Sequence, residues 1–163
     1  MKHSILLTLG LFLIPMAACS VKEDPPSGRD GWLKGTPHEK LDVVAKQLRG
    51  FDMTMVETGY RYQELYWAGT DGNWEYAEYQ VEKIKQAIEY GLERRPKRAA
   101  SAEPFLRETL PQLENLVKSK DSVGFLSGYE MLTKQCNACH KEEEVPFFTV
   151  KPPLHRQSPI RGR

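Results

Sequence analysis

Two thiols and an imidazole stand together late in the chain, in the run Cys136-Asn137-Ala138-Cys139-His140. On a helix, residues three or four apart share a face, so Cys136, Cys139 and His140 turn to one side. Thiols at that spacing can form thioethers to the two vinyl groups of one porphyrin, and the adjoining imidazole can bind iron from the same side. The pattern is that of a c-type haem attachment site. Competing chemistries fit the chain less well. A zinc site needs further ligands at close spacing, and beyond the motif only His155 follows, alone in a Pro-rich stretch. A thioredoxin-like dithiol needs a βαβ setting, for which no strand pattern is present.

The address agrees with that chemistry. Lys2 precedes an apolar run over residues 4–14, and small residues follow at 17–20, the layout of an export signal too short for a membrane span. Met16-Ala17-Ala18-Cys19 resembles the lipobox of bacterial lipoproteins, so Cys19 is expected to be acylated after removal of residues 1–18. All three cysteines are then assigned and no disulfide remains to be drawn. The expected location is the periplasm, with a lipid anchor to a bacterial membrane. The formal net charge of +1 gives no reason to expect nucleic acid or an acidic membrane surface as a partner.

The rest of the chain reads as housing, in one domain. Residues 19–35, rich in Pro, Gly and charge, read as a linker. Thr36-Pro37-His38-Glu39 combines an N-cap hydroxyl, a first-turn Pro and a Glu three residues on. Apolar residues then recur at helical spacing as Leu41, Val44, Leu48, Phe51, Met55, Tyr62 and Leu65, predicting a helix over 36–67 with a break or bend at Gly50. His38, at its start, is expected to face water. After a turn at 68–73, Trp74, Ala77, Val81, Ile84, Ile88 and Leu92 form the stripe of a second helix that Pro96 stops. A third, over 101–119, must kink or restart at Pro111. Asp121 caps a fourth, in which Phe125, Tyr129, Leu132, Cys136 and Cys139 share a face. Residues 146–163 read as an extended tail whose Phe147 and Phe148 are expected to be buried. The predicted fold is all-α, an antiparallel four-helix bundle over 36–145. The aromatics Tyr60, Tyr62, Tyr66, Trp67, Trp74, Tyr76 and Tyr79 are expected to pack its first two helices.

An exported four-helix bundle with CxxCH on its last helix resembles the class II c-type cytochromes, the cytochrome c′ group. That resemblance implies one covalent haem c inside the bundle, with His140 as proximal iron ligand and a first-helix residue on the opposite face. Arg49, four residues before Met53, looks like the family's first-helix pattern. The class I cytochromes c carry the motif near their start and a ligating Met downstream, whereas no Met follows His140 here. Met131 shares the helix of His140 and cannot reach the far face of the ring, so a Met ligand must be Met53 or Met55. A bound Met gives a six-coordinate iron suited to electron transfer, and an unbound one gives an open site for small gases. The leading expectation is a one-electron carrier that is not an enzyme, and the alternative is a gas-binding or gas-sensing haem protein. A redox partner protein is implied, and the cations Arg94, Arg95, Lys97 and Arg98 are the candidate docking patch. Pairing through the first two helices would make a homodimer.

Overall fold

The structure is a computed structural model describing residues 24–161; the expected export signal and Cys19 lie outside the described residues. The chain divides into two compact units, 1–48 and 49–163.

In the first unit, Ser27 and Leu33 exchange backbone hydrogen bonds of 2.9 and 3.0 Å around a single 3-10 turn. Helix α1 (Pro37–Gln47) follows, opened by a complete capping box in which Thr36 Oγ1 accepts from the Glu39 amide and the Glu39 carboxylate accepts from the Thr36 amide. Such a cap contributes about 1 kcal/mol. The break expected at Gly50 is present, and the stretch is two helices. Arg49 takes a left-handed φ of 59°, which no helix interior accommodates, and a new helix starts at Phe51.

The second unit is a helical bundle, with no strand among the described residues. Its elements are α2 (Phe51–Thr70), α3 (Trp74–Arg94), α4 (Ala99–Pro104), a π-helical turn (Phe105–Thr109), α5 (Leu110–Lys118) and α6 (Ser122–Glu142). Asn73 caps α3 through the Tyr76 amide, and Asp121 caps α6 through the amides of Val123 and Gly124. Helix α2 packs on α3 and α6, α3 on α5, and α5 on α6. The stripes meet in one core that includes Leu65, Ile84, Leu113, Val117, Phe125, Tyr129 and Leu132. Each such aliphatic or aromatic residue contributes about 1.5–3 kcal/mol by leaving water. Gly69 permits the closest approach: a Cβ there would stand 2.2 Å from the Phe125 ring.

Pro111 has the effect expected of it, displaced along the helix. With no N–H to give, it cannot lie in the interior of a continuous helix, and α5 restarts with Pro111 in its first turn. The Leu110 amide reaches back to the Phe105 carbonyl, five residues earlier. The wider turn holds Phe105 and Leu110 both against the core.

Beyond α6 the tail is non-helical to the end of the described residues. Its two aromatics depart from expectation, since Phe147 is 71% and Phe148 61% exposed. Val150 is the tail residue that packs on the core. Far along the tail, Arg156 forms a two-pronged ion pair with Asp71 at 2.6 and 2.7 Å and lies 4.9 Å from the Trp67 ring.

Candidate cofactor site

The three residues of the motif occupy the last two turns of α6, which ends abruptly. Glu144 adopts a left-handed φ of 61°, while the Val145 amide bonds the His140 carbonyl and the Glu144 amide bonds the Lys141 carbonyl. This is the hydrogen-bond pattern of a Schellman stop, with Glu standing where Gly is usual. The chain therefore reverses directly after the imidazole. His140 Nδ1 then lies 2.6 Å from the Phe148 carbonyl oxygen. A carbonyl can only accept, so Nδ1 carries the proton, and the Nε2 lone pair remains for another partner.

Cys136, Cys139 and His140 share one cavity with Phe51, Met55 and Thr58 of α2 and Phe105 of the π turn. The cavity has a volume of about 200 Å³. Ile88, Ala102, Val145 and Phe148 complete the apolar wall, and its charged members are Asp52, Arg98 and Glu143. Arg98 pairs with the Glu143 carboxylate, which also accepts from Ser101 Oγ, and the guanidinium lies 5.6 Å from the Phe51 ring. One polar atom of the wall is unsatisfied: Thr58 Oγ1 is buried without a hydrogen-bond partner. Behind the cavity, Tyr129 donates to the Tyr62 carbonyl at 2.9 Å, and the Tyr62 and Thr133 hydroxyls bond at 2.7 Å. These bonds tie α6 to α2 close to Cys136.

Neither thiol of the motif is in a disulfide. Burial, reinforced by the neighbouring Cys139 sulfur, pushes the Cys136 thiol up to about 12, and burial also raises Cys139. Both are therefore neutral at physiological pH, the reverse of an activated redox thiol. Because the folded chain holds these protons more tightly than the unfolded one, the associated stability is complete below about 9, the ordinary thiol value, and is lost as pH rises toward the folded value. Iodoacetamide labelling at pH 8 is accordingly expected to modify Cys136 far more slowly in the folded chain than in urea; equal rates would contradict the burial. Among the described residues, no three His, Cys, Asp or Glu side chains gather to hold a bare ion.

The expected site residues separate by position. Met55 lines the cavity with the motif, whereas Met53 does not and is 39% exposed. Residues 51, 55 and 58 follow the i, i+4, i+7 spacing of one helix face, and residue 53 is about 200° around the helix from residue 51. Arg49 pairs with Asp52 at the surface, and only Asp52 of the two borders the cavity. The four expected docking cations have unlike surroundings: Arg94 donates to Thr54 Oγ1 at 3.1 Å and Arg98 is engaged with Glu143, leaving Arg95 and Lys97 exposed. Sequence reasoning passed over Phe51 as a wall of the site, and over Thr58, Phe105 and Glu143. The spacing of Phe51 and Thr58 around Met55 was the readable signal.

Comparison of the chain with protein-family models, with curated proteins and with solved structures finds no match in any of the three.

Proposed function

We propose that the chain is a monohaem c-type cytochrome, a one-electron carrier with covalently bound haem c housed in an antiparallel four-helix bundle of the cytochrome c′ kind. The observation that carries this reading is the convergence of Cys136, Cys139 and a His140 with protonated Nδ1 on one largely apolar cavity that Met55 also lines. The residues suit the group: the two thiols are its covalent anchors, His140 Nε2 the proximal iron donor, and Met55 the candidate distal donor. A haem bound there supplies one-electron cycling between ferrous and ferric iron. Phe51, Phe105 and Ile88 keep water from it, which with the ligand set governs the potential. Arg98, now neutralised by Glu143, is the cation available to the carboxylates that a haem brings. Export to the periplasm and acylation at Cys19 belong to the same reading, and the exposed Arg95 and Lys97 are the docking cations for an acidic redox partner.

The unpartnered Thr58 hydroxyl supports a second reading. It stands one turn after Met55, and beside an open distal position it would be a ready hydrogen-bond donor to a small gas such as nitric oxide. Both readings require covalent haem. Exported in a host with a cytochrome c maturation system, the chain is expected to retain haem through denaturing electrophoresis, with sharp visible bands on reduction. A chain that emerges without haem under those conditions refutes both.

A further inference from the structure

The tail is tied to the motif by more than the His140 contact. Asn137, one of the two spacer residues of the motif, meets Val150 at both backbone groups: its Oδ1 accepts from the Val150 amide at 2.8 Å and its Nδ2 donates to the Val150 carbonyl at 3.0 Å. A side-chain amide paired in this way copies the double bond of a strand ladder. Two residues upstream of Val150 is Phe148, whose carbonyl holds His140 Nδ1. The left-handed Glu144 turns the chain into this path, and the Arg156 to Asp71 pair fastens the far end.

We propose that Asn137 is a positioning residue for His140: by clamping the tail at Val150 it keeps the Phe148 carbonyl on Nδ1, and so holds the imidazole in the tautomer whose Nε2 can bind iron. The consequence for a metal site rests on the haem reading; the clamp itself does not. A residue within the motif thereby governs the ligand three positions later through a loop of chain outside the motif. Phe148 is 61% exposed, so its ring does not fix its carbonyl, and its amide hydrogen bond to the Val145 carbonyl at 3.1 Å closes the turn before it while the Asn137 clamp fixes the chain after it. Once the tail is free, water serves either imidazole nitrogen and the selection of tautomer is gone. Hydrogen bonding at Nδ1 also makes the ring a stronger donor at Nε2, which favours ferric iron and lowers the potential.

The test is the nitrogen-proton correlation spectrum of the His140 ring in the haem-free full chain, recorded above the imidazole titration. The wild type is expected to show neutral His140 mainly as the Nδ1–H form. Asn137→Ala should lose that dominance and the exchange protection of the Val150 amide together, with helix content by circular dichroism unchanged. Asn137→Asp, which keeps the acceptor for the Val150 amide, should restore part of both. Val150→Pro removes the donated amide without touching α6, and should act like Asn137→Ala if the latter does not fold. An unchanged tautomer in Asn137→Ala whose Val150 amide has lost protection, or in Val150→Pro, overturns the proposal. In the haem-loaded chain, Asn137→Ala should raise the reduction potential. Failure of the wild-type chain to take up haem would instead refute the haem reading, with the tautomer result standing apart from it.

Discussion

Replacing both motif thiols, Cys136→Ala with Cys139→Ala, is expected to abolish covalently retained haem completely while leaving the helices in place. Alanine is the informative substitute. Serine would leave a hydroxyl at a largely buried position, at a cost of about 1–3 kcal/mol if unpaired, and a loss of haem could then be blamed on the fold. Alanine removes only the sulfur, is the best helix former, and leaves intact the buried core against which Cys136 packs. The bundle does not depend on the thiols, because the α2, α3, α5 and α6 stripes bury one another without them. The measurements are haem staining after denaturing electrophoresis and far-ultraviolet circular dichroism. Haem that survives denaturation in the double variant would show that the motif is not the anchor. A collapse of helical signal would show that the cavity wall is structural in its own right.

The sequence carried the site further than it carried the chain around it. Spacing alone was enough to put Cys136, Cys139 and His140 on one face, because three- and four-residue separations leave a helix no other choice. Capping residues marked the starts of α1 and α6, where the Thr36 and Asp121 side chains accept from first-turn amides. What was missed depends on backbone states that composition does not announce. The break at Gly50 was expected, but the left-handed residue that makes it is Arg49 rather than the glycine. Glu144 is likewise left-handed at the end of α6. The π turn at Phe105 was visible only as the awkwardness of Pro111. The burial expected of Phe147 and Phe148 failed because the tail is held by polar bonds, through Asn137 and Arg156, and these leave the rings exposed.

Met55→Ala is expected to change the visible spectrum of the loaded protein, and Met53→Ala to leave it unaltered. The two residues are separated by one position and by about 200° of helix, so only Met55 shares its face with Phe51 and Thr58. The Arg-x-x-x-Met resemblance pointed to Met53, whereas the apolar period pointed to Met55; a period reports which side of a helix is covered, and the cavity lies on that side. Loss of a thioether ligand should remove the weak band near the red end of the oxidised spectrum and produce broad high-spin bands that shift with carbon monoxide. Met55 also packs against the core, so its truncation should destabilise the fold by about 2 kcal/mol, the low end for a Met→Ala change at a partly buried position. Stability and spectrum therefore separate the roles. A lowered melting temperature with an unchanged spectrum would make Met55 a packing residue, and the distal position would then be open beside the unpartnered hydroxyl of Thr58. In that event Thr58→Val, which keeps the shape and removes the hydroxyl, should weaken binding of a gas that gains negative charge on coordination more than that of carbon monoxide, which gains little, because a donor is worth more to a charged acceptor.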